Sequence, residues 1–175
     1  SKRRGDYLDK ILHLINSDSL DVTALVDISK DIYDDLKATS SSKRILVVGD
    51  PLVMFNEFLN NFTLRDIEDK GHRVIYGPFS EYMWVLWSDF VDQNGGDDAD
   101  MLRERLDEFK SYIDLVSDCL SDESPFEEDL CDLRSIADNT AGYYAGANGR
   151  YREAKTLGGL RSIDGVITVA SMYEN

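Results

Sequence analysis

Arg44-Ile45-Leu46-Val47-Val48-Gly49-Asp50-Pro51 interrupts an otherwise charged, helix-patterned sequence. Consecutive apolar residues, mostly β-branched, running into Gly-Asp-Pro read as a buried strand that ends in a turn. A helical pattern follows and closes at Lys70-Gly71; Arg73-Val74-Ile75-Tyr76-Gly77-Pro78 then reads as a second strand. Strand, helix and strand in that order form the unit of a parallel sheet covered by helices on both faces, a three-layer α/β domain. Such sheets receive ligands in the crevice beyond the carboxyl ends of their strands. A site is therefore expected at Gly49, Asp50, Asn56, Ser80 and Glu81, with the loop after Val169 contributing. Glycine permits close backbone approach, while Asp50 and Glu81 supply acceptors for a hydroxyl or amide. The competing reading is that Asp50 and Ser80 only cap turns and helices.

Working outward, Tyr7, Leu8, Ile11, Leu12 and Ile15 fall on one helical face, and Val22, Leu25, Ile28, Ile32 and Leu36 on another. This predicts an N-terminal helical hairpin and linker over 1–43, ahead of an α/β domain over 44–175. Between the first two strands, Phe55, Phe58, Leu59 and Phe62 suit a buried helix face. Asn56, Asn60 and Asn61 disfavour helix, so a break near Asn60 is expected, with Thr63 capping the next segment. Ser80 is placed as the cap of a helix whose Met83, Trp84, Trp87, Phe90 and Val91 form a core stripe. Leu102, Leu106, Phe109, Ile113, Val116 and Leu120 mark one long amphipathic helix packing along a single seam. Pro125 opens a further helix that Tyr143, Tyr144, Gly146 and Gly149 end; a short helix reaches Gly158-Gly159, and Asp164-Gly165 turns into the last strand, Val166–Val169. The chain stops at Asn175, a few residues past that strand, and reads as a fragment of a longer protein.

Thirty-four acidic against nineteen basic residues, in 175, leave a formal charge of −15. A surface of that sign repels phosphate backbones and anionic headgroups, which argues against nucleic acid and membrane partners. No apolar run approaches the ~20 residues of a membrane helix. Arg150, Arg152, Lys155 and Arg161 gather near the end and read as the solvated face of a helix, the alternative being an anion site for a CoA tail. The glycine pair Gly95-Gly96 stands before Asp97 and Asp98, whose charges oppose a phosphate cradle. Cys119 and Cys131 are too few for a disulfide scaffold or a metal site and read as helix-buried thiols of a reduced, cytoplasmic protein. His13 and His72 have no nucleophile beside them, so no triad is expected.

Ile45-Leu46-Val47-Val48-Gly49-Asp50-Pro51, then Asn56, Phe58, Asn60-Asn61, Glu68 and Gly71, and then Pro78-Phe79-Ser80-Glu81, together resemble a region of the 2-hydroxyacyl-CoA dehydratase system. The similarity is to the dehydratase-like module of the large activase-related proteins, which carry a Pro-(Leu/Phe)-Ser-Glu-Trp run after the second strand. Gly149, Gly158 and the run from Asp164 to Val169 extend it. The resemblance implies a Rossmann-like α/β module, [4Fe–4S] clusters held by cysteines, and ATP-driven electron transfer to an enzyme that dehydrates a 2-hydroxyacyl-CoA. Related proteins have a cysteine in a Pro-Phe-x-Cys-Met-Pro-Gly segment after the last strand; here Ala170-Ser171-Met172 stands there. Serine is a poor substitute for a soft ligand, so no cluster is expected in this chain. The resemblance implies neighbouring activase modules or dehydratase subunits as partners, and acyl-CoA as a ligand. Three functions stay open: an accessory module without its own cluster, a regulatory or docking domain, and a catalytic half completed by other residues.

Overall fold

The computed structural model describes residues 2–17, 21–37, 43–118, 129–141, 146–159 and 163–170. It is mixed α/β and mostly helical, with one open sheet of three parallel strands, β1 (Arg44–Gly49), β2 (Arg73–Tyr76) and β3 (Gly165–Val169). The order is β2-β1-β3, and Leu46 lies opposite both Ile75 and Val166. All three strands stand where the apolar runs place them.

The pleat sends alternate residues of β1 to opposite faces. Val47 packs with Val74, Met54 of α3 (Pro51–Phe55) and Leu64 of α4 (Thr63–Asp69). Leu46 and Val48 turn the other way, with Ile75 and Val166, and α8 (Gly146–Gly159) contacts β1. Leu46, Val47 and Val48 are fully buried, each contributing about 1.5–3 kcal/mol of apolar burial.

A second, helical core joins α5 (Phe79–Asn94), α6 (Ala99–Ser117), α7 (Leu130–Thr140) and α8 through Trp84, Leu106, Ile113, Leu133, Tyr151 and Ala154. Leu106, Phe109 and Ile113 supply the expected seam of α6; Leu120 lies outside the described residues. At the amino end, α1 (Lys2–Ile15) and α2 (Val22–Lys37) touch, the Tyr7 hydroxyl donating to the Asp31 carbonyl at 3.1 Å, and α2 also contacts α6.

Several local expectations need correction. Phe55, Phe58, Leu59 and Phe62 are exposed rather than buried, because the helix stops at Phe55 and a turn runs to Phe62. Thr63 is not a cap: the N-cap of α4 is Phe62, which offers no side-chain acceptor. Ser80 likewise lies inside α5, whose N-cap is Pro78. Of the tryptophan stripe, Trp84 and Val91 are core, whereas Trp87 and Phe90 are exposed. Gly146 and Gly149 begin α8 instead of ending the preceding helix; Pro125, Tyr143 and Tyr144 lie outside the described residues. Cys131 is exposed, and Cys119 is outside the described residues.

Asp129 caps α7 by accepting the Cys131 N–H at 2.7 Å and also pairs with Lys110 of α6. Partial burial pushes the Asp129 carboxyl up, but the Cys131 N–H and the Lys110 ammonium outweigh it and hold the group below its ordinary value. A carboxyl depressed by folding stabilises above its unfolded pKa and loses that contribution as pH falls through the folded one. Urea midpoints taken between about pH 5 and about pH 2.5 should therefore fall further for the native chain than for Asp129→Asn, which keeps a capping oxygen without the charge. Equal losses would place the acid sensitivity elsewhere.

Candidate functional site

Gly49 ends β1 at φ +135°, a conformation that side chains rarely adopt, and a Cβ there would meet the Val169 carbonyl oxygen at 1.7 Å. The backbone that glycine lets in is thus that of β3, and the neighbouring Asp50 N–H donates to the same carbonyl at 3.0 Å. Asp50 is half-buried and caps α3, its Oδ1 accepting the Leu52 N–H at 2.8 Å. Asn56, past the end of α3, turns its Oδ1 to the N–H groups of Phe58 and Leu59 at 3.1 and 3.3 Å. The amide and carboxylate proposed for ligand contact thus already hold the chain. Of the segment after Val169, Ala170 is exposed and 171–175 lie outside the described residues.

The β1 and β2 ends meet through aromatic rings. Phe55 stacks on Tyr76, the last residue of β2, at a centroid distance of 5.6 Å and meets Phe79 edge-on at 6.4 Å. Phe79 then lies 5.8 Å from Tyr82, and Tyr82 5.9 Å from Tyr151. A continuous row of rings therefore runs from the exposed Phe55 and Phe79 at the carboxyl edge to the buried Tyr151 of α8.

Ser80 is half-buried, whereas Glu81 turns inward and is only 2% exposed. Lys155 Nζ sits 3.3 Å from Glu81 Oε1 and 3.1 Å from Oε2, and the Tyr151 hydroxyl donates to Oε2 at 3.0 Å. That hydroxyl is also 3.3 Å from the Pro78 carbonyl. Asp50 and Glu81 therefore do not present two open carboxylates in one cleft. Gly77 makes the arrangement possible, since a Cβ there would stand 2.9 Å from the Tyr151 hydroxyl. A carboxylate with a lysine and a phenol, all buried, is chemically a paired charge with a hydrogen-bonded proton beside it.

One turn earlier on α8, Arg150 is 1% exposed and serves as a clamp. Its Nε donates to Asp89 of α5 at 2.8 Å, its Nη1 to the Ala141 carbonyl at 2.6 Å, and its Nη2 to Asp138 of α7. Arg134 extends the cluster to Asp92. The solvated-face reading is thus overturned for Arg150 and Lys155, and Arg150 is not a surface cation for a CoA tail; Arg152 is half-buried and Arg161 lies outside the described residues. Sequence reasoning missed Tyr151 and Asp89, and took Lys155 for a surface cation. The usable signal was Tyr151-x-x-x-Lys155, which puts a phenol and an ammonium on one face of a helix that also carries Ala154 in the core.

For a [4Fe–4S] cluster the described donors do not fit. Cys131 is a single exposed thiol, pushed up by partial burial and by the Asp129 carboxylate, and no group of three potential metal ligands occurs among the described residues. Among those residues, too, no helix is long and apolar enough to cross a membrane. No protein-family profile, curated protein or solved structure matches this chain.

Proposed function

We propose that the chain is an accessory, dehydratase-like domain of a 2-hydroxyacyl-CoA dehydratase and activase-related protein, of Rossmann-like, three-layer build and without a cluster of its own. One observation carries the reading. Pro78-Phe79-Ser80-Glu81, a run on which the resemblance depends, is the N-cap and first turn of α5 just after β2, at the carboxyl edge of a parallel sheet, the place where such sheets receive ligands. Packing of α3 and α4 under one sheet face and contact of α8 with β1 support the layered build. Neighbouring activase modules or dehydratase subunits are the partners in this reading, in the cytoplasm.

The exposed rings of Phe55 and Phe79 suit the acyl end of an acyl-CoA rather than its phosphates, which the acidic surface repels. Titrating the isotope-labelled chain with CoA and short 2-hydroxyacyl-CoAs is expected to shift the amides of Gly49–Leu52 and Gly77–Glu81 for the acyl esters and not for CoA alone. Shifts confined to α1, α2 or α6 would put the pocket elsewhere. An absence of shifts at millimolar ligand would leave a docking domain of the same fold as the better reading.

A further inference from the structure

The segment from α3 to the start of α4 holds large apolar side chains outside the core. Leu52, Phe55, Phe58, Leu59 and Phe62 are 65, 54, 79, 46 and 43% exposed, within eleven residues. The turn that presents them is firmly built. Asn56 Oδ1 holds the N–H groups of Phe58 and Leu59, and the Asn60 amide donates to the Val53 and Met54 carbonyls at 3.2 and 3.4 Å, drawing the turn back onto α3. The Phe62 N–H donates to the Glu57 carbonyl at 2.7 Å. Asn61 and Phe62 take φ of 52° and 55°, the left-handed region that an aromatic residue rarely enters. Local strain of that kind persists only where the surroundings over-determine it, and here it accompanies rings held toward solvent.

Charge narrows what can cover these rings. Glu57 and Asp66 adjoin Phe62 through backbone hydrogen bonds, and Glu68 and Asp69 follow them along α4; all four are exposed, against Arg65 and Lys70. Arg65 is engaged by Glu57 and lies 5.5 Å from the centre of the Phe62 ring. The rim is therefore acidic on a chain of net charge −15. A second copy would bring like charges together, and an anionic bilayer would be repelled. A partner with complementary charge is favoured on both counts.

We propose that this segment is a docking surface for a different protein, one that offers an apolar helical face flanked by lysine or arginine. The inference does not depend on the dehydratase reading. Such a helix lays its apolar side on the exposed rings while its cations meet the acidic rim. The test uses the whole chain with two fluorescent amphipathic peptides of one leucine pattern, one with lysine and one with glutamate on the polar face. The lysine peptide is expected to bind, by anisotropy, at least about tenfold more tightly than the glutamate peptide. The double variant Phe58→Ser, Leu59→Ser should weaken it by about tenfold or more with an unchanged far-ultraviolet circular dichroism spectrum. Asp66→Lys with Glu68→Lys should weaken the lysine peptide while leaving those rings in place. Binding that ignores Phe58 and Leu59 would reduce the effect to non-specific charge and overturn the proposal. Equal binding of both peptides would overturn it too, as would self-association in sedimentation that the serine variant abolishes.

Discussion

Replacing Arg150 with methionine is expected to destabilise the fold by about 3–5 kcal/mol, because it leaves the Asp89 carboxylate buried without its principal cation. Asp89 is 4% exposed, and its Oδ2 receives Arg150 Nε at 2.8 Å while Oδ1 has no hydrogen-bond partner. Among the described residues, Arg134 stands 4.0 Å from Oδ1 and is already engaged by Asp92, so it cannot take over at full strength. The loss should appear as a lower urea midpoint with an unchanged slope. Adding Asp89→Leu removes the orphaned charge, so the double variant should be markedly more stable than the sum of the single losses predicts. A single-variant loss below about 1 kcal/mol would mean that water reaches the clamp and that apolar contacts alone join α5, α7 and α8.

Lys155→Met should cost a similar amount, about 3–5 kcal/mol near neutral pH, since Glu81 is then left buried with the Tyr151 hydroxyl but without the Lys155 ammonium. The pH dependence separates this from a packing defect. A desolvated carboxyl deprived of the Lys155 ammonium binds a proton more readily than with it, so the deficit of the variant should shrink as pH falls toward about 4. Lys155→Met combined with Glu81→Gln should recover most of the loss, the amide being neutral and still able to accept from Tyr151. A deficit that stays constant between about pH 7 and about pH 4 would show that the methionine simply packs badly.

Much of the architecture was legible in the chain. Ile45–Val48 and Val74–Ile75 are short apolar runs followed by glycine and proline, and runs of that kind read as strands of a parallel sheet, of which β1 is central and β2 lies at the edge. Gly71 closes α4 at φ +86°, and Asp50 caps α3, each by local chemistry that needs no distant partner. Leu106, Phe109 and Ile113 state the inward face of α6 by spacing alone. The candidate site was legible only as a place. The strand ends bring Gly49–Asn56 and Gly77–Glu81 to one edge, but Asp50 and Asn56 are occupied by the backbone they cap and Glu81 faces inward.

Hydrophobic pattern and turn residues thus determined the strands and most of the helices, because those depend on near neighbours in the chain. Tertiary structure alone decided which polar groups are buried and which rings are not. Arg150, Lys155 and Asp89 look like ordinary surface charges in the sequence and Glu81 like an open acceptor, and burial becomes affordable only when α5, α7 and α8 bring their counter-charges together across 61 to 74 residues. Phe55, Phe58, Leu59 and Phe62 look like core, yet three asparagines and a left-handed turn hold them outward. Burial of a side chain is settled by what lies opposite it in space, and residues far apart in the chain supply that.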